Sequence, residues 1–212
     1  MKRAVCLVAL LGVSACVLNG TVIFDNLSET GTGQAALSMM LTEGQKFIAP
    51  GDARLQSVVL NMKYNYGGTF NWILAQLYSD ADGVPGVLVG SLAPDLSLEL
   101  MTTLANYTFH PVGTINLEHG DGYWVTVGAG GGATAGWEYT GSTSGTGFPF
   151  TSWHSDYYND GGSYTWHGSA VNPMKMQVNA DSGVPEPATL LLVAPLGLAA
   201  FALRRRLLYF RG

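Results

Sequence analysis

At 212 residues, the chain has room for one ordinary domain and two specialised ends. Only 12% of its residues are charged, about half the usual globular share, while 28 are glycine. Between Thr21 and Gly183, four cations (Lys46, Arg54, Lys63 and Lys175) face fourteen carboxylates. The resulting net charge of −10 repels phosphate backbones and argues against a nucleic-acid partner.

The first twenty residues have the three parts of a secretory signal. Lys2 and Arg3 form a positive start, Ala4 to Ala15 is almost wholly apolar, and Val13-Ser14-Ala15 offers small residues for cleavage. A signal helix over 1–20, absent from the mature protein, is therefore expected. Val13-Ser14-Ala15-Cys16 also resembles a bacterial lipobox, in which Cys16 would carry lipid, although Val13 stands where leucine is usual. Ordinary cleavage is the preferred reading. No cysteine follows Cys16, so no intramolecular disulfide can staple the mature body, and its stability has to come from a hydrophobic core.

From Thr21 the long apolar run gives way to short β-prone segments. Val22 to Phe24 opens the series. Leu55 to Tyr64 alternates Val58, Leu60 and Met62 against Val59, Asn61 and Lys63, the period of a strand with one buried face. Phe70 to Tyr78 follows a break at Gly67-Gly68 and is apolar on both faces, which places it centrally in a sheet. Ser79 to Gly86 is dense turn chemistry. Further strands are expected at Val87–Leu92, Tyr107–His110, Tyr123–Val127, Trp137–Thr140, Ser163–His167 and Met174–Ala180. The tract from Gly128 to Gly147 reads as one exposed ribbon around Trp137 between loops. About nine short strands with glycine turns predict an all-β fold over 21–181, a β-sandwich or jelly roll.

The C-terminal end runs Val184-Pro185-Glu186-Pro187, an apolar stretch over 188–203, then Arg204-Arg205-Arg206. A helix over 188–203 would be roughly 24 Å long against a bilayer core of about 30 Å, a marginal span. The arginines should stay cytoplasmic, which puts the body outside. The two prolines favour an extended, accessible segment before the span. The ordered combination resembles the PEP-CTERM sorting signal of bacteria over residues 184–212. That resemblance implies an exosortase-type processing enzyme as partner and transient attachment to the membrane through the C-terminal helix. A permanent anchor of the same topology is the alternative.

The body is similar to the choice-of-anchor R family. The resemblance is carried by Phe24-Asp25-Asn26, Ala75 to Asp80 with Gly83-Val84-Pro85-Gly86, Tyr123-Trp124-Val125, and Met174 to Val178. It implies an exported β domain and transfers no catalytic residues.

Several residues have side chains capable of chemistry. His110, His119, His154 and His167 lack the spacing of a helical zinc motif, although His154 and His167 are placed to face each other across a hairpin. His154-Ser155-Asp156 are neighbours on a strand, where successive side chains diverge. Asp80, Asp82 and Gly83 resemble the front of a calcium loop without its later ligands, so a structural turn is preferred. Glu99, Glu118 and Glu138 are acids without an evident hydrolase pairing. No cofactor is expected.

The aromatic run is the most suggestive feature. Trp153, Tyr157, Tyr158, Tyr164 and Trp166 are candidate contacts for sugar rings or protein partners, with packing between two strands as the plainer reading. The expectation is a non-enzymatic structural or adhesive protein at the bacterial surface or in the extracellular matrix, with exopolysaccharide as a possible partner. The alternatives are a carbohydrate-binding module there and, behind it, a secreted hydrolase.

Overall fold

The computed structural model describes residues 20–38, 41–66, 72–95, 102–130, 134–147, 154–160, 163–169 and 172–181. Thirteen strands lie among them. They are β1 (Thr21–Asp25), β2 (Gly31–Leu37), β3 (Thr42–Ile48), β4 (Ala53–Tyr66), β5 (Trp72–Ala81), β6 (Val84–Pro94) and β7 (Ala105–Pro111). They continue as β8 (Asn116–Leu117), β9 (Gly122–Gly130), β10 (Thr134–Thr140), β11 (His154–Asp160), β12 (Ser163–Ser169) and β13 (Met176–Asp181). The fold is all-β, and its antiparallel sheet is nearly closed.

The main path runs β1-β13-β4-β7-β6-β5-β9-β3-β11-β12. β4 is the hinge of this arrangement because its 14 residues are shared among several neighbours. Its first part pairs with β13 along one edge, and its last part pairs there with β10, Met62 standing opposite Trp137. The other edge carries β8 and β7. β10 then holds β2, which turns directly towards β3 through the Ser38–Leu41 bridge. A strand this long can pass between two sheet regions only by twisting, and that twist brings its apolar face inward.

The core follows from the period-two pattern. Val58, Leu60 and Met62 of β4 are fully buried, while Val59 and Asn61 are only partly so. β13 repeats this with Met176, Val178 and Ala180 inside. They share one core with Ala75, Leu77, Phe47, Val125 and Val127, together with Phe24, Phe109 and Trp137. Each fully buried aliphatic or aromatic side chain contributes about 1.5–3 kcal/mol in transfer free energy.

Two antiparallel pairings stand at the edge and in the centre of the sheet. Phe24 and Asp25 lie opposite Val178 and Gln177, and Leu77, Tyr78 and Ser79 lie opposite Val125, Trp124 and Tyr123.

Several expectations change. Most of the predicted turn over 79–86 is strand, since β5 runs to Ala81 and β6 starts at Val84; only Asp82 and Gly83 turn, both at positive φ. The ribbon around Trp137 is not exposed. Trp137 has no solvent exposure and donates its indole N–H to the Lys175 carbonyl at 2.9 Å. Gly128, Gly130 and Gly136 belong to paired strands, and at Gly33 of β2 any Cβ would collide with the Tyr139 hydroxyl. β2, β3 and β8 are additional to the expected strands, and β11 matches the strand expected around His154 as the partner of Ser163–His167. The Gly67-Gly68 break, the signal at 1–20 (through residue 19) and the whole of 184–212 lie outside the described residues. No helix among the described residues is long and apolar enough to cross a membrane.

Candidate ligand-contact face

In β5, Ala75 and Leu77 enter the core, so Leu74, Gln76 and Tyr78 line the outer face. Register places Leu88 of β6 and Trp124 of β9 beside Tyr78, and Lys46 of β3 beside Trp124. This outer face is covered at one end. Trp124 has no solvent exposure, yet it lies outside the central apolar cluster.

A buried ion pair explains why that covering is tolerated. Lys46 Nζ lies 2.7 Å from Asp80 Oδ2, with side chains 8% and 25% exposed. The Trp124 indole N–H donates to Asp80 Oδ1 at 2.7 Å, so both carboxylate oxygens are engaged. Gly122 makes room, since a Cβ there would stand 2.6 Å from Lys46 Cε and 3.0 Å from Asp80 Cβ. Removing one partner of such a pair leaves an uncompensated charge out of water, which is far costlier than the pair itself is stabilising.

A similar device sits in the other half of the body. Lys175 Nζ is 2.7 Å from Glu138 Oε2, with side chains 9% and 14% exposed. The Lys175 amide also donates to the Glu138 carbonyl at 2.8 Å. Gly31 leaves space for the Glu138 carboxylate, which a Cβ would overlap. Two of the four cations in the body are thus consumed internally, and Arg54 makes a looser 3.8 Å contact with Asp181.

The rim of the outer face is aromatic. The Trp166 ring of β12 meets Tyr78 edge-on, with centroids 6.4 Å apart and planes at 67°. β12 is four strands from β5 along the sheet, so this contact brings the terminal hairpin back over the outer face. Tyr78 donates its hydroxyl to Gln76 Oε1 at 3.2 Å. Leu74 and Leu88 are 43% and 47% exposed alongside.

Of the residues singled out in the sequence, Trp166 stands at this rim. Tyr157 is paired in register with Trp166, Tyr158 with Thr165, and Tyr164 with Asn159. Trp153, Val184, Pro185, Glu186, Pro187, Arg204, Arg205 and Arg206 lie outside the described residues. His154 is paired with Ser169 and His167 with Asp156, so the two histidines do not oppose each other. Asp80 and Asp82 stand in different surroundings. Asp80 is held by Lys46 and Trp124, which a cation would have to displace, and Asp82 is exposed at the hairpin tip. Among the described residues no group of three or more potential ligands is placed to hold a metal ion.

A second concavity, about 760 Å³ and open to solvent, is lined by Asp52, Arg54, Asn116, Glu118, His119 and Asp181. His119 is fixed there by its amide on Asp52 (2.8 Å) and its Nδ1 on the Pro50 carbonyl (2.9 Å). Beside it, the Tyr123 hydroxyl accepts the Glu118 amide at 2.9 Å. Burial raises the Tyr123 pKa, the Glu118 amide bond opposes this, and the charges of Asp121, Glu118 and Asp52 add to the rise.

Sequence reasoning missed Tyr78, Gln76, Lys46 and Trp124 as one constellation. The signal available was the double-sided apolar pattern of Phe70 to Tyr78, whose second face holds Leu74 and Tyr78. No protein-family model matches the chain, and no curated protein is similar to it.

Proposed function

We propose that this chain is an exported bacterial surface or extracellular-matrix protein with a structural or adhesive role rather than an enzyme. In this reading residues 1–20 direct export, 188–203 hold the protein briefly in the inner membrane, and an exosortase-type enzyme acts at Val184-Pro185-Glu186-Pro187. The body over 21–181 hangs outside as a jelly-roll-like sandwich, with helical segments only at the flanks.

One observation carries the proposal: a Pro-Glu-Pro segment, an uncharged stretch of marginal spanning length and a triple-arginine stop follow one another without interruption. The body is consistent with that use. Its interior lysines are spent on Asp80 and Glu138, so its remaining surface charge is dominated by carboxylates. The same pairing supports a non-enzymatic role, because Glu138 is tied to Lys175 rather than poised for proton transfer.

The test is topological. An epitope inserted after Ser182, just beyond β13, should be cut by external protease once the outer envelope is opened. Removing the exosortase-type enzyme should keep the protein at its unprocessed mass in the membrane fraction. An epitope protected inside the cytosol overturns the proposal. The mass of the mature chain separately decides between plain cleavage and lipid on Cys16.

A further inference from the structure

We propose that the outer face of β5 and β6, bounded by Trp166, is a binding platform for a neutral glycan chain. This rests on the exported, adhesive reading above and supplies its contact surface.

The argument begins with what the face lacks. Leu74, Gln76, Tyr78, Leu88 and Trp166 carry no charge, in a body with a net charge of −10. The nearest cation, Lys46, is buried against Asp80 at 2.7 Å and 8% exposed, so it is withheld from any ligand. An anionic polymer would find no partner here and would meet the repulsion of the surrounding carboxylates. A basic partner would find no acid on the face itself, since both oxygens of Asp80 are engaged. An uncharged chain with apolar and hydroxyl faces incurs neither penalty.

The geometry fits such a chain. Tyr78 and Trp166 form two walls inclined at 67°, with centroids 6.4 Å apart. The C–H face of a pyranose packs against one ring while its edge meets the other, and Leu74 and Leu88 extend the apolar floor along the strands. Gln76 supplies the polar element: Tyr78 engages its oxygen at 3.2 Å and so orients its NH2 as a donor for a sugar hydroxyl. Trp124, beside Tyr78 on the same face, is fully buried and fixed to Asp80, which holds this end of the face rigid, so little ordering is needed on binding.

The experiment is native affinity electrophoresis of the purified full chain in detergent, through gels containing hydroxyethylcellulose, laminarin, galactomannan or, as the acidic control, polygalacturonate. Retardation is expected in at least one neutral polymer and not in polygalacturonate. Tyr78→Ala and Trp166→Ala should each weaken it about 5- to 10-fold. Leu88→Lys, at a position 47% exposed, should weaken it similarly and keeps the test open should Trp166→Ala fail to fold. Val112→Ser, on an exposed loop residue elsewhere, should leave it unchanged. The assignment is overturned if no neutral polymer retards the chain, if polygalacturonate does so equally, or if folded Tyr78 and Leu88 variants bind as the parent does. Absent binding with an externally exposed epitope removes the glycan assignment alone, whereas intact binding with a cytosolic epitope removes the export reading alone.

Discussion

Asn26 and Met176, 150 positions apart, exchange two hydrogen bonds: the Met176 amide donates to Asn26 Oδ1 at 2.8 Å, and the Asn26 amide donates to the Met176 carbonyl at 3.2 Å. The Asn26 side-chain NH2 also reaches the Met174 carbonyl at 3.0 Å. Gln45 completes the set by accepting the Met174 amide at 2.8 Å. The first and last strands of the body are thereby locked together where Met174 and Lys175 leave the regular ladder.

Asn26 has no solvent exposure, so its replacement leaves buried donors and acceptors without partners. Asn26→Ala should destabilise the body by about 2–4 kcal/mol, at roughly 1–3 kcal/mol for each group stranded. Urea denaturation followed by tryptophan fluorescence measures this. A midpoint shift worth less than about 1 kcal/mol would show that the junction tolerates water.

The Lys46–Asp80 pair predicts strong coupling. Asp80→Asn preserves shape but strands the Lys46 ammonium, and should cost about 2–4 kcal/mol, somewhat under the range for fully buried pairs because Asp80 is a quarter exposed. Combining it with Lys46→Met removes the orphaned charge, so the double variant should be more stable than Asp80→Asn alone. A double-mutant cycle in urea reads the difference, and strict additivity would contradict the buried-pair description.

Two glycines with similar backbones should respond differently. Gly83 (φ +89°) has open space around it, and alanine there should cost about 1 kcal/mol from strain alone. Gly147 (φ +81°) faces the Ile23 carbonyl, with the Phe24 Cα 3.1 Å from any added Cβ, so Gly147→Ala should cost clearly more, about 2–4 kcal/mol. Thermal melts of the two variants settle the order.

The raised pKa of Tyr123 predicts an alkaline limb. The unfolded tyrosine loses its proton near its ordinary value of about 10 while the folded one keeps it, so the unfolded state binds fewer protons in that window. This contribution to stability is present in full below pH about 10 and is lost as pH rises through the folded pKa. Tyr123→Phe should lie about 1 kcal/mol below the parent at neutral pH, for want of the Glu118 amide bond, and should fall less steeply above pH 10. Unfolding midpoints from pH 8 to 11 provide the comparison; parallel curves would remove Tyr123 as the cause.

How much of this was legible in advance varies by element. β4 and β13 could be read because one face is buried and the other is not, and Val58, Leu60 and Met62 record that alternation directly. β2, as Gly31-Thr-Gly-Gln-Ala-Ala-Leu37, shows no such pattern: its glycines serve the side chains of Glu138 and Tyr139 on the next strand rather than its own. β3 was hidden because Glu43 and Gln45 are buried polar residues at positions where periodicity expects apolar ones. Trp137 misled for the opposite reason, since a flanking glycine-rich sequence signals loops unless the partner strands are known.

Amino-acid order alone determined the strand character of the body, its acidic charge and its lack of disulfides, because these depend on composition and on spacing of one or two residues. Which carboxylate neutralises which lysine, and which ring meets which, was decided by folding. Asp80 and Trp124 lie 44 positions apart and become partners only when β5 and β9 align. Tyr78 meets Trp166 only because the sheet curls enough to return its last hairpin across its own outer face. Local spacing carries no trace of such contacts, since the free energy that selects them comes from burying the whole sheet at once.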